Sequence, residues 1–208
     1  MGTRQATSRR PNRTSCGVDA LQAIYARRAV RSYTTKRVEP DTVRALIDAA
    51  IQAPSAVNQQ PWAFVVIQDI RLLERLSDRS KGLVLAQIRP GTALWEHSGM
   101  LKDPSFNVFY DAGTLIVVCA APGDWPVNED CCLAAQNLML AAHALGLGTC
   151  PIGFARDALS EAWAKRELGI PADHTVVMPI IVGYPSEQPA PTPRRPARIL
   201  AWKQPSPT

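Results

Sequence analysis

Apolar residues recur along the chain at helical spacing in some stretches and as short unbroken runs in others, and these patterns predict its elements. A helix is expected from about Asp19 to Arg27, with Leu21, Ile24 and Tyr25 on one face. A second starts with Pro40 and Asp41 in its first turn, carries Val43, Leu46, Ile47, Ala50 and Ile51, and stops at Pro54. After Pro61-Trp62, the run Ala63 to Gln68 reads as a buried strand bounded by Asp69, and Leu72, Leu73 and Leu76 mark a further short helix. Between Lys81 and Tyr110 the pattern dissolves into Gly, Pro and scattered aromatics, as expected of an insertion that caps a site, a lid. Leu115 to Ala121 is β-branched and apolar throughout, a central strand. From Asp130 onward, Cys131 to Ala142 is alanine-rich and apolar on nearly all sides, which predicts a long helix buried all round and ended by Gly146 and Gly148. A helix over 157–167 and a strand over 176–182 come next. Seven prolines from Pro185 onward then permit only an extended arm, 185–208.

That order of elements describes an α+β protein built on one sheet, a single domain over 18–208 preceded by a flexible tail, 1–17. The 208 residues are 46% apolar and 20% charged, so the body should fold. The net charge of +5 suggests nucleic acid until it is located: four arginines lie in 1–16 and four basic residues in 188–208, neither segment holding an acid. The remainder has 15 basic against 18 acidic residues, without the basic, aromatic-interleaved surface that a nucleic-acid backbone requires. Leu133 to Leu147 is only 15 residues long and carries Gln136, Asn137 and His143, too short and polar for a membrane span. No apolar segment follows the N-terminal arginines as it would in a secretory signal, so a cytoplasmic protein is expected. Cys16, Cys119, Cys131, Cys132 and Cys150 form an odd set with no C-x-x-C pair, which points to reduced thiols.

Candidate chemistry is narrowed by what is missing. The chain has no G-x-G-x-x-G dinucleotide cradle, no phosphate loop of the G-x-x-x-x-G-K type and no G-x-S-x-G elbow. His97, His143 and His174 lie in separate segments without a carboxylate at ligand spacing, so no metal site is expected. Cys131 and Cys132, at a helix start, read as core residues rather than reactive thiols. Two features remain. Arg27-Arg28-Ala29-Val30-Arg31-Ser32-Tyr33 gathers three guanidinium groups with no acid before Glu39, a self-repelling arrangement unless an anion such as phosphate is present. Ala53 to Trp62 is a polar loop locked between Pro54 and Pro61 just before a buried strand.

These segments resemble the nitroreductase family of flavoproteins. The likeness rests on R-R-A-V-R-S-Y at 27–33, P-S-A-V-N-Q-Q-P-W at 54–62, the stretch from Asp130 to Cys150, P-I-G-F at 151–154, and G-Y-P with P-R-R-P between 183 and 196. It covers roughly residues 20–202 and implies a central mixed, mostly antiparallel sheet flanked by helices, with FMN bound at a homodimer interface. By the same resemblance Arg27 and Arg28 grip the FMN phosphate and ribityl end, and Arg31 approaches the N1/O2 edge of the ring. Pro54, Ser55, Ala56 and Asn58 would come from the partner subunit. The backbone at Ile152-Gly153 would lie near N5/O4, and Arg194 and Arg195 would complete the phosphate site. Ala29 stands where many relatives have Ser, and Ile152 where some have Glu. No residue among these is a general base or nucleophile. The resemblance therefore implies that flavin carries hydride from NADH or NADPH to a nitroaromatic, quinone or similar conjugated acceptor by a ping-pong scheme. Reductive dehalogenation or desaturation on the same scaffold, or flavin binding without turnover, are the alternatives.

Overall fold

The computed structural model describes residues 18–92, 95–123 and 126–204; the expected basic tail and Cys16 lie outside them. Four strands, β1 (Trp62–Ile67), β2 (Thr114–Ala120), β3 (Gly148–Pro151) and β4 (Thr175–Gly183), form one antiparallel sheet in the order β1-β2-β4-β3. All three strand pairings are antiparallel, and the parallel contact at the β3 edge is an isolated bridge from Ala29 to Thr149 outside the strands. Every residue of β2 is buried. Leu115, Val117 and Cys119 face a core containing Leu73, Leu76 and Val84 of α3 (Ile70–Gln87) and Leu159 of α6 (Arg156–Ser160). Ile116, Val118 and Ala120 face Leu46 and Ala50 of α2 (Pro40–Ala50) and Ala134, Leu138 and Ala142 of α5 (Val127–Ala144). Helices on both faces explain why β2 reads as one unbroken apolar run even though it is antiparallel.

Several boundaries differ from those the pattern predicts, each for a local reason. The helix seen at Leu72 to Leu76 does not end near Lys81 but runs 18 residues to Gln87, started by the Asp69 carboxylate accepting from Arg71 and Leu72 N–H at 2.9 and 3.2 Å. Its pattern fades because polar groups occupy its inner face and are satisfied there: Ser80 donates to Leu76 O (2.6 Å), and buried Lys81 pairs with Asp78 (3.0 Å). Farther along the segment expected to be a cap, α4 (Ser98–Lys102) sends Leu101 into the core, and the turn after it sends Val108 and Phe109 there. The helix α5 starts at Val127 and ends on Gly146 in the left-handed region (φ +76°), with Leu147 N–H bonded to Ala142 O and Gly146 N–H to His143 O. Gly148 is not a terminator: it opens β3, a strand the apolar pattern does not show. Within the chain α5 buries Cys131, Ala134, Ala135, Leu138, Met139 and Ala142 but leaves Cys132, Leu133 and Gln136 outside, so the all-round burial expected of it holds on one side only. The first helix, α1 (Ala20–Ala26), likewise buries Ala23 while Leu21, Ile24 and Tyr25 stay exposed.

The single helix expected over 157–167 is two, α6 and α7 (Ala162–Leu168), broken where Glu161 is extended (ψ 144°). Its carboxylate accepts from Arg79 on α3 (Nε to Oε2, 2.7 Å) and from the Trp163 indole (2.7 Å), tying the break between α6 and α7 to α3. Arg79 first, and then Trp163, hold the Glu161 carboxyl at about 2, below its usual 4.5. A depressed native value gives stability that is present above the ordinary carboxylate range and lost as pH falls toward about 2. Glu161→Gln should therefore flatten the fall of the urea unfolding midpoint between about pH 4.3 and 2; an acid limb identical to that of the unmodified chain would refute this.

Candidate functional site

The arginine segment is a strap laid on the sheet edge. Past α1 the backbone turns extended at Arg27 (ψ 134°), and Val30 N–H bonds to Thr149 O (3.0 Å), Thr34 N–H to Tyr184 O (2.9 Å) and Ser186 N–H to Ser32 O (3.1 Å). Two glycines make room for it. A Cβ at Gly148 would stand 2.6–2.8 Å from the Val30 side chain, and one at Gly183 would stand 2.7 Å from Tyr33 Cδ1. Tyr33 then folds back so that its hydroxyl donates to Val30 O (2.7 Å), which closes the strap on itself.

Arg27 and Arg28 face a recess of about 180 Å³ whose walls include His143, Thr149, Pro185 and Gln188. Arg28 spends one nitrogen on the carbonyls of Tyr25 (2.6 Å) and Arg27 (2.8 Å). Arg27 Nη1 and Arg28 Nε are buried and, among the described residues, have no hydrogen-bond partner. Burial lowers the Arg27 pKa from its ordinary value; Cys150 opposes this, while Arg194 and Arg28 add to it. Two buried guanidinium donors facing each other's charge without an acid form a site that wants an anion. Arg194 and Arg195 are both exposed on the extended arm and line neither recess, and of the two only the charge of Arg194 bears on Arg27.

Arg31 lines a neighbouring recess of about 190 Å³ with Tyr110, Cys150, Ile152, Gly153 and Phe154. Its guanidinium carbon lies 5.9 Å from the centre of the Tyr110 ring. Burial raises the Cys150 thiol, opposed by Arg31 and Arg27. Ile152 is buried, its N–H bonded to Pro179 O (2.8 Å), and Gly153 comes next at the mouth of the recess. A Cβ at Gly153 would meet nothing within 4 Å, so packing within the chain does not demand glycine there. Ala29, between the two recesses, is half-buried in its bridge to Thr149.

The loop with Pro54, Ser55, Ala56 and Asn58 is not brought to either recess. Its anchor is Asp130, a residue in the first turn of α5 to which the sequence pattern assigns no role: both carboxylate oxygens accept from Ala56 N–H (3.2 and 3.1 Å). Ser55 Oγ accepts from Gln60 N–H (3.0 Å), and Val57, Asn58 and Gln60 all adopt positive φ (46°, 59° and 49°). An acid opening an apolar helix is the one available signal for Asp130; nothing in the sequence singles out Thr149 or Tyr110. Cys131 is core, its thiol 3.5 Å from Cys119 O and pushed by burial up to about 12. No group of His, Cys, Asp and Glu among the described residues could hold a metal ion, and no described helix is long and apolar enough to cross a membrane.

Compared with known families, residues 24–184 match the nitroreductase family. The chain belongs to that family. It is accordingly an oxidoreductase. A protein of Methanothermobacter thermautotrophicus, named as a candidate NADH dehydrogenase/NAD(P)H nitroreductase, is 32% identical over 83% of this chain and 80% of its own length. An NADH dehydrogenase of Thermus thermophilus is 28% identical over 89% and 97%. Among solved structures, a nitroreductase with bound FMN from Bacteroides fragilis has a TM-score of 0.73 at 28% identity, covering 89% of this chain and 97% of the other. For this nitroreductase-family chain, the placement of the strap rests on two missing side chains. Gly148→Ala should therefore cost about 1–3 kcal/mol through overpacking against Val30. The same change in a Val30→Gly background, which removes the Cβ at 2.7 Å along with both methyl groups, should cost less than half as much, a coupling that chemical denaturation of the four proteins of the cycle would reveal; equal costs would show that the strap does not depend on this approach.

Proposed function

We propose that the chain is an FMN-dependent oxidoreductase that passes hydride from NADH or NADPH to a nitroaromatic, quinone or similar conjugated acceptor. One observation carries this: Arg27 Nη1 and Arg28 Nε are buried, unpartnered donors in a recess without an acid, which is the donor set a phosphate monoester needs. FMN would supply two-electron chemistry when bound, and the protein would supply binding and electrostatics. Arg27, Arg28 and Arg194 hold the phosphate. Arg31, one recess away, is placed to put positive charge at the edge of the ring, where reduction adds negative charge. Gly153 leaves open space over its backbone for a flat ring. The absence of a dinucleotide cradle suits a donor and an acceptor that use one cleft in turn.

The site is completed by a second copy of the chain. The loop over 54–58 is held rigidly away from both recesses of its own chain, and α1 exposes Leu21, Ile24 and Tyr25 at 64%, 52% and 75%. A homodimer covers that apolar face and delivers Pro54, Ser55, Ala56 and Asn58 to the neighbour's ring. Residues 190–204 of the arm, Arg194 and Arg195 among them, lie exposed and carry Ile199, Leu200 and Trp202 to the same interface. Unpaired Cys119, Cys131, Cys132 and Cys150 suit a reducing compartment, the cytoplasm.

Arg27→Ala should weaken FMN about 10- to 150-fold, the range for losing a charge-assisted bond worth about 1.5–3 kcal/mol; titration followed by flavin fluorescence reads this, and an unchanged Kd refutes the phosphate assignment. Removal of residues 190–208 should convert the dimer to monomer in size-exclusion chromatography and release FMN, whereas a yellow dimer would show that the arm serves neither.

A further inference from the structure

Tyr110 occupies a turn whose backbone is held in an unfavourable conformation, and the side chain this presents reaches Arg31. Tyr110 and Asp111 both have positive φ, 51° and 56°. Outside glycine such backbone is costly and persists only where surrounding contacts over-determine it. Those contacts are present. Val108 N–H donates to Ser77 Oγ (2.9 Å), Phe109 N–H to Asn107 Oδ1 (2.8 Å), Tyr110 N–H to Asn107 O (2.8 Å) and Ala112 N–H to Phe109 O (3.0 Å). Val108 and Phe109 are fully buried among these hydrogen bonds, and the Phe106 ring meets the Tyr110 ring edge-on at 5.4 Å and 81°. The half-buried ring that results stands in the recess of Arg31 and Gly153, with the guanidinium carbon 5.9 Å from its centre. Arg31 is otherwise exposed and has no carboxylate bonded to it among the described residues.

We propose that Tyr110 is a positioning residue: its ring anchors the Arg31 guanidinium by a cation–π contact and so sets how strongly that cation favours reduced over oxidised flavin. This deepens the FMN reading and rests on it. An arginine free to swing into water would offer its charge weakly and through high dielectric, whereas one seated on an aromatic face offers it at a fixed point. The hydroxyl shares in this, since the Arg31 side chain also hydrogen-bonds it, so phenylalanine should keep the ring's part and lose the hydroxyl's.

The test is a redox titration of the FMN-loaded protein against a reference dye, on Tyr110→Asn, Tyr110→Phe and Ser77→Ala. Asparagine tolerates positive φ, so Tyr110→Asn removes the ring without forcing the turn. With FMN retained, its reduced-to-oxidised affinity ratio should fall about two- to fivefold, the scale of an exposed cation–π contact. Tyr110→Phe, which keeps the ring, should shift the ratio the same way by less than half as much as asparagine, and Ser77→Ala should likewise shift it by less. An unaltered ratio in Tyr110→Asn would overturn the proposal, as would a Tyr110→Phe shift equal to that of asparagine, since the hydroxyl would then be the active part. Should Tyr110→Asn fail to fold, Ser77→Ala decides alone, and an unmoved ratio there counts against the proposal. Failure of the unmodified protein to take up FMN would instead remove the reading beneath it.

Discussion

The approach of the arginine strap to the outer edge of the sheet is the constraint on which the site depends. Val30 and Tyr33 lie so close to Gly148 and Gly183 that no Cβ fits at either glycine. Interiors pack with few voids and little slack, so a methyl group at either point would push the strap outward rather than be absorbed. The consequence runs along the chain in both directions. Arg27 and Arg28 lie just before Val30 and Arg31 just after it, so one contact fixes both recesses, and the hydrogen bonds to Thr149 and Tyr184 fix their register.

Such a strap brings like charges together in a partly dry place, which is unfavourable in the chain by itself. The protein does not relieve it with carboxylates: no acid lines the recess of Arg27 and Arg28, and acids such as Glu161 and Asp78 pair elsewhere, with Arg79 and Lys81. A buried charged donor left unpaired costs more than a hydrogen bond returns, so the arrangement is tolerable only if a ligand supplies the missing acceptor. The same charges that destabilise the ligand-free chain would then be the source of its affinity.

The sequence displays much of this, and the reasons for the gaps are physical. Apolar runs reveal β2 and β4 because these strands are buried along nearly their whole length, and half-buried β1 because its six residues are all apolar, while Pro40 and Gly146 mark helix ends through their fixed backbone preferences. The edge strand β3 stays hidden because four residues, Gly-Thr-Cys-Pro, carry no period and are defined by what pairs with them. The latter half of α3 is obscured by buried polar residues whose partners, Leu76 O and Asp78, become visible only in three dimensions. Among site residues, the arginines stand out as a charge cluster in sequence. Asp130 and Tyr110 do not, since one acts across 74 residues and the other through an unusual φ.

The loop over 54–58 shows how a rigid scaffold can hold a site that it does not itself complete. Val57 is β-branched and therefore badly suited to φ 46°, yet it stands in that conformation at 74% exposure, with no packing of its own to account for it. Its support comes from beneath, where Asp130 holds Ala56 N–H with both oxygens and Ser55 holds Gln60 N–H. Strain maintained on an exposed loop by a buried carboxylate gains nothing for the chain alone. It becomes intelligible if the loop is shaped for a surface outside its own chain. The exposed apolar side of α1 and the outward Leu133 of α5 suit the same explanation, because a second copy that receives the loop would also cover them.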